Sequence, residues 1–422
     1  MIYLGTDRTI EDILEEHVET VQFLWGRRCA ELRGPEMAAP TFADLEEQIA
    51  GHADALVLAG SDAIPMLKGR LAGEEAPASL ASGYALLCMG DAGTARLVLE
   101  AFREASGPCL EGLCRALSYG SIDHVAAELR EIADSGPVLQ ASAAAEALAF
   151  HGEGDVTTRR IGEFLASDHV TVRKSAWRIV ALLDGVPEVP QVRIPATFEA
   201  YGKGLRDEDP VVWQQVLETA AWTRQAWLLD YCRALSAAPS PERLPIIRLL
   251  SILGEPVDFD LILAAGSATS LGLSRFKLLA AFGHPGGIEP LLEGIRSEDP
   301  AVAVAAASAY ATITGADIDS EARVRLPPPG GPPPDEFERE FLDEVFLPDA
   351  EKANAHWART REIFARGIRW RNGIDVSQVV PPHLPDTLAN EACWETCLRG
   401  RYRGLWQGVL PELERYPLGP KV

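Results

Sequence analysis

Residues 288–315 read Ile-Glu-Pro-Leu-Leu-Glu-Gly-Ile-Arg-Ser-Glu-Asp-Pro-Ala-Val-Ala-Val-Ala-Ala-Ala-Ser-Ala-Tyr-Ala-Thr-Ile-Thr-Gly. Apolar residues from Ile288 to Ile295 recur at helical spacing, and Ser297-Glu298-Asp299-Pro300 then turns the chain. A second helix is expected over Ala301 to Ile313, closed by Gly315. Proline suits the first turn of that helix because its missing N–H would have no partner there anyway. A terminal glycine can take the left-handed conformation that ends a helix. The stretch is one helix–turn–helix unit that cannot bury its apolar face alone.

The same parts recur along the chain. Asp207-Glu208-Asp209-Pro210 precedes Val211 to Ala221, Ser167-Asp168-His169 precedes Val170 to Leu183, Ser135-Gly136-Pro137 precedes Val138 to Phe150, and Glu75-Ala76-Pro77 precedes Ala78 to Met89. Glycines close these segments at Gly60, Gly90, Gly120, Gly152, Gly185, Gly254, Gly283 and Gly315, with a degenerate endpoint near Trp222-Thr223. A period of about 30 residues is the signature of a helical solenoid, in which each unit buries its face on the next. Small residues such as Ala141, Ala143 to Ala145 and Ala305 to Ala307 let the second helices approach closely.

The ends depart from the pattern. Ile10, Ile13, Leu14, Val18, Val21 and Leu24-Trp25 predict one long amphipathic helix to about Leu32, led by Thr9 as a cap, and Phe42 to Leu58 predicts a second. Residues 326–334 read Leu-Pro-Pro-Pro-Gly-Gly-Pro-Pro-Pro, an extended connector. Beyond it, helices are expected over Phe337 to Val345, Ala350 to Arg366 and Leu388 to Trp406. The expected organisation is an N-terminal helical cap (1–41), a solenoid (42–315), a Pro-rich linker (316–336) and a C-terminal helical extension (337–422).

Charge narrows the partners. The 422 residues hold 62 acids against 39 bases, a net charge of −23. That field repels a phosphate backbone, so nucleic acid is not an expected partner. Residues 350–422 alone carry 8 acids and 11 bases, so the tail is locally basic. No signal-like apolar leader or long apolar run occurs, so the expectation is a cytoplasmic protein without membrane contact. Seven scattered cysteines fit reduced thiols better than a disulfide framework.

The unit Asp168-His169-Val170-Thr171-Val172-Arg173-Lys174-Ser175-Ala176 resembles a short HEAT repeat of the phycocyanobilin-lyase type. Three blocks in order extend a second resemblance over most of the chain. They are His17 to Arg28 followed by Leu45 to Leu56 and Ala59-Gly60; Gly283-His284-Pro285 to Thr314-Gly315; and Leu347-Pro348-Asp349 to Phe364-Ala365-Arg366-Gly367-Ile368-Arg369-Trp370. Together they are similar to an uncharacterised bacterial HEAT-repeat family often encoded beside type VI secretion genes, including spike and adaptor genes. The resemblance implies an all-α solenoid and an accessory role in secretion, and it carries over no catalytic residue.

Candidate chemistry is sparse. Cys393 and Cys397, and Cys109 and Cys114, lack the paired spacing of a zinc site and read as core thiols. The eight histidines are dispersed; only His17 and His52, joined by Glu16 or Asp54, would meet if the first two helices pair. The acid pairs Glu15-Glu16, Asp207 with Asp209 and Asp258 with Asp260 read as N-terminal helix caps rather than acid–base machinery. Gly90-Asp91-Ala92-Gly93 and Gly283-His284-Pro285-Gly286-Gly287 lack the Gly-Lys-Ser/Thr that cradles phosphate. No catalytic, cofactor-binding or metal site is therefore expected.

Trp, Tyr and Arg dominate protein–protein hot spots. On that basis Trp25, Arg28, Trp357, Arg361, Arg369, Trp370, Arg401 and Tyr402 are the expected partner-binding residues. The expected function is a non-enzymatic protein-binding scaffold, an accessory or effector-loading protein whose partner is a secretion effector, spike or adaptor protein. Two alternatives differ in kind: an immunity protein neutralising a toxin, and an enzyme on the same scaffold, akin to a bilin lyase or a DNA glycosylase.

Overall fold

The computed structural model describes residues 10–31, 39–157, 159–184, 198–327, 335, 342 and 344–405. These residues divide into two compact units, one comprising residues up to Thr223 and one comprising Arg224–Leu388 with residues from Ala392 on. The fold is an all-α solenoid of short HEAT-like helix pairs, with a long N-terminal helix and a C-terminal extension.

In the first unit, α1 (Ile10–Glu31) and α2 (Ala39–Ala59) pack on each other. Five pairs follow. They are α3 (Ile64–Arg70) with α4 (Ala76–Cys88), α5 (Ala92–Glu104) with α6 (Gly107–Tyr119), and α7 (Ala126–Ser135) with α8 (Val138–Phe150). After the single turn α9 (Gly154–Thr157) come α10 (Ile161–Leu165) with α11 (Val170–Leu182), then α12 (Phe198–Gly204) with α13 (Pro210–Trp222). The second helices stack in series, α4 on α6 on α8 on α11 on α13. Small residues permit that stacking: a Cβ on Gly112 would meet Ser79 Oγ on the preceding helix at 2.2 Å.

The second unit holds three pairs, α14 (Leu228–Ser236) with α15 (Leu244–Leu253), α16 (Phe259–Ser267) with α17 (Ser274–Phe282), and α18 (Ile288–Ile295) with α19 (Pro300–Thr314). Here α15 packs on α17 and α17 on α19. The Asp-Pro turns act as the sequence requires: Asp209 accepts from Val211 N at 2.8 Å and Asp299 from Ala301 N at 2.9 Å. Gly283 and Gly315 close α17 and α19 at φ +72° and +70°. Gly120 and Gly254 instead take negative φ, −89° and −56°, so those two endpoints are not left-handed caps. In the degenerate unit Arg224 occupies the left-handed position, at φ +55°. Gly185 lies outside the described residues.

The segment after Gly315 differs from the expected linker and helix. Strand β1 (Asp319–Arg325) pairs antiparallel with β2 (Glu344–Pro348), so residues 319–325 are not part of an extended connector and Glu344-Val345 do not end a helix. Residues 328–334 and most of 337–343, where the Pro-rich run and the expected acidic helix fall, lie outside the described residues. Helix α20 (Ala350–Phe364) is capped by Asp349, which accepts from Glu351 N and Lys352 N. A two-stranded hairpin, β3 (Trp370–Arg371) and β4 (Ile374–Asp375), precedes α21 (Asn390–Arg403). Its turn residues Asn372 and Gly373 both take positive φ, +48° and +73°, as a tight two-residue hairpin requires.

Candidate functional site

The hairpin serves the solenoid itself. The last carbonyls of a helix have no partner within it and need donors from elsewhere. Arg369 donates to Ser251 O, Ile252 O and Gly254 O at 3.0, 3.1 and 2.7 Å, at the end of α15, and its guanidinium stacks 4.1 Å from the Phe282 ring centroid. Arg371 donates to Ala280 O and Ala281 O at the end of α17 and faces Glu395 at 3.4 Å. Asn372 N and Gly373 N donate to Thr312 O and Ile313 O of α19. Arg403 completes the set on Leu253 O. The tail thus caps three successive second helices.

This corrects the reading of half of the expected partner-binding residues. Arg369 and Trp370 are 4% and 6% exposed, and Trp25 and Arg28 are 4% and 2% exposed, so all four are spent inside the fold. Arg28 pairs with Glu46 and lies 5.0–5.3 Å from the ring centroids of Trp25, Phe42 and Tyr119, while Trp25 stacks on Tyr119 at 5.2 Å. Of the others, Trp357 is half-buried and donates to Glu289 at 3.1 Å, Arg361 is exposed, Arg401 is half-buried, and Tyr402 is half-buried with its hydroxyl on Gln225 O at 3.1 Å. The Asn372-Gly373 pair between two short apolar-and-charged dipeptides was the signal for the hairpin.

His17 and His52 do meet, with their Nδ1 atoms 2.8 Å apart. Burial and the neighbouring His17 lower the His52 pKa, and Glu16 opposes them. Cys393 and Cys397 sit in an apolar cluster with Val376, Val380, Leu384 and Leu388. Among the described residues no group of three His, Cys, Asp or Glu side chains could hold a metal ion, and no helix is long and apolar enough to cross a membrane.

The feature that sequence reading missed lies on the second helices of the first unit. Counting from the first residue of each helix, the ninth position is Arg115 on α6, Glu146 on α8, Arg178 on α11 and Glu218 on α13. Charge therefore alternates along the stack. Glu146 binds forward to the next helix, through Arg178 at 3.0 Å and Ser175 Oγ at 2.7 Å. Arg115 is held by Glu111 at 2.6 Å and donates to Cys29 Sγ at 3.0 Å. The signal was available as like positions 31, 32 and 40 residues apart, but only stacking gives that column meaning.

In front of this column is a groove of about 370 Å³. Pro108, Leu110 and Leu139 supply apolar wall, and Arg115, Lys174 and Arg178 face Glu111 and Glu146. The lining is net positive by one charge in a chain of −23. Lys174 stands apart: among the described residues no hydrogen bond or ion pair engages its ammonium. Burial, then the nearby Arg178, push its pKa down, with Glu111 and Glu146 pulling the other way. Burial raises the Cys114 thiol, which donates to Ala143 O at 3.3 Å and stays protonated. A second cavity of about 430 Å³ between α10 and α12 offers less, since its Asp207 is already held by both arms of Arg173 at 2.7 and 2.9 Å.

No family model matches the chain, and no curated protein does. Among solved structures, the X-ray structure of YibA from E. coli is similar to it with a TM-score of 0.41 and 14% identity, over 62% of this chain and 95% of YibA.

Proposed function

We propose that the protein is a non-enzymatic protein-binding scaffold, and that the groove over α6, α8 and α11 is where it takes its partner. The observation that carries this reading is the groove itself: an apolar wall with alternating charges on three consecutive, mutually braced helices. Such a surface is preorganised, so little ordering cost is charged against binding. At about 370 Å³ the groove is at the small end of the range of ligand-holding clefts, about 300–1,000 Å³, room for a few side chains of a partner. The charged groups pair largely with each other, and the one hydroxyl beside a carboxylate, Ser175 on Glu146 at 2.7 Å, is buried in the α8–α11 contact with its carboxylate already held by Arg178, which favours recognition over catalysis. In the setting implied by the bacterial family resemblance, the partner is a secretion effector, spike or adaptor protein, and the role is loading or accessory.

The test is affinity capture from the native bacterium with the wild-type chain and with Thr171→Trp, which places an indole at the exposed rim of the groove. A secretion component enriched by the wild type and lost with the variant is the expected result. An identical set of captured proteins for both would remove the groove from the function. Truncation after Gly315 is a poor control, because it strips the arginine caps from α15 and α17.

A further inference from the structure

We infer that the groove selects an acidic side chain, an isolated Asp or Glu within an otherwise neutral or basic extended segment of the partner protein, and that Lys174 is the residue that pairs with it. This rests on the scaffold reading above and adds the chemistry of recognition.

Three observations converge on a carboxylate. First, Arg115 and Arg178 are committed to Glu111 and Glu146, whereas the Lys174 ammonium lines the cavity with no hydrogen-bonding partner among the described residues. A half-desolvated cation beside an apolar wall gains more from an incoming anion than a solvated one does. Second, the groove opens onto the first turns of three helices, through Gly107 and Pro108 of α6, Leu139 of α8 and Thr171 of α11. Helix N-termini carry partial positive charge and unpaired N–H groups. Third, these helices begin without side-chain caps: Ser106, Pro137 and His169 accept no N–H, whereas Asp209 and Asp299 cap α13 and α19. Uncapped starts are common among the described helices, α4, α7, α10 and α14 to α18 included; at the groove, no described side chain of the protein already fills these three starts.

Geometry adds the form of the ligand. Packed helices lie about 8–10 Å apart, and an extended chain covers that in about three residues. A segment of about seven residues therefore crosses α6, α8 and α11, and its groove-facing side chains, which alternate with outward ones, set the acid at Lys174 and apolar residues against Leu110 and Leu139. The chain's overall charge of −23 disfavours a strongly acidic partner, so the acid is isolated and the groove's local positive balance reads it.

The experiment uses two pools of nonapeptides labelled with an uncharged fluorophore, with blocked ends and no other charged residue, partly randomised, with central Glu in one and central Gln in the other. Binding to the full chain is read by fluorescence anisotropy. The Glu pool is expected to bind about tenfold tighter than the Gln pool, in keeping with a charge-assisted hydrogen bond, and to weaken with added salt. Lys174→Met, which keeps an unbranched apolar stem and removes the ammonium, brings the two pools level, and Thr171→Trp abolishes both. Equal binding of the two pools by the wild type, with loss on Thr171→Trp, overturns acid selection and leaves the groove as a docking surface. A Glu preference that survives Lys174→Met overturns the assignment to Lys174. Absence of binding by both pools overturns this inference and the groove-docking reading together.

Discussion

Arg178 on α11 reaches back to Glu146 on α8 at 3.0 Å, and the two stand at the same position of successive second helices. The pair is a repeat-to-repeat bond: its partners are 32 residues apart in sequence and neighbours in the stack. Ser175 adds a second bond to the same carboxylate, so Glu146 clamps α8 to α11 through two groups. The clamp holds the wall in which Lys174 lies, and it ties the stability of the array to the shape of the groove.

The side chains of Arg178 and Glu146 are 23% and 11% exposed, between the surface and buried regimes. Surface pairs contribute about 0–1 kcal/mol, and breaking buried pairs costs about 3–5 kcal/mol. A double-mutant cycle with Glu146→Gln and Arg178→Met is expected to give a coupling of about 1–2 kcal/mol. Local hydrogen exchange of α8 and α11 is the measurement, because a chain of two compact units need not unfold in one step. A coupling near zero would mean that the pair is screened and that Ser175 and apolar packing join the helices.

Arg369 holds three carbonyls at the end of α15, and Arg403 holds a fourth, Leu253 O. Lysine carries the charge but not the planar fork that spans Ser251 O, Ile252 O and Gly254 O. Leaving buried acceptors without donors costs about 1–3 kcal/mol each. Arg369→Lys is expected to destabilise the second unit by about 3 kcal/mol or more, read as early proteolytic cleavage within residues 344–405. Arg361→Lys, on an exposed side chain, stays within about 0.5 kcal/mol of wild type.

The helix pairs were legible because their signals are local. Pro300 after Asp299, Pro210 after Asp209 and the terminal Gly315 each act within a turn of their own residue. Val138–Phe150 and Ile288–Ile295 form as read, and Val170–Leu182 ends one residue earlier. What the chain's text hides is non-local. Arg369 and Trp370 have the composition of a binding hot spot, and the same groups make ideal carbonyl caps and core filler; only the ends of α15 and α17 decide between the two uses. The pairing of β1 with β2 joins segments on either side of the Pro-rich run, across a distance that no short-range pattern records. Lys174 looks like an ordinary repeat residue until Arg115, Arg178 and their acids are placed around it.

Among the described residues, Arg224 marks the one repeat end where a non-glycine residue holds the left-handed conformation, and its side chain is exposed. That conformation costs an L-residue about 1–2 kcal/mol, and glycine's extra chain entropy returns about half of it. Arg224→Gly is expected to stabilise by about 0.5–1 kcal/mol, seen as slower exchange at the C-terminal end of α13. Destabilisation would show that the guanidinium contributes more than the strain removes.

His284 gives the second unit an acid-sensitive turn. Its Nδ1 accepts from Gly286 N at 3.0 Å, so that nitrogen must be unprotonated. Burial, and then Arg369, lower its pKa below the ordinary histidine value of 6.5. A folded-state pKa below the unfolded one means that the folded chain resists protonation. The stabilisation is therefore complete above about pH 6.5 and shrinks as the pH falls through that value toward the folded pKa. Between pH 7.5 and pH 5 the turn at 283–287 is expected to lose about 1 kcal/mol, measured as faster exchange at Gly286 and Gly287 relative to α8. His284→Asn keeps an N-cap acceptor without a titrating group, so its exchange profile should be flat over the same range. If the variant loosens on acidification as much as the wild type, the sensitivity belongs to other groups, such as His356, whose pKa burial and Arg359 also lower.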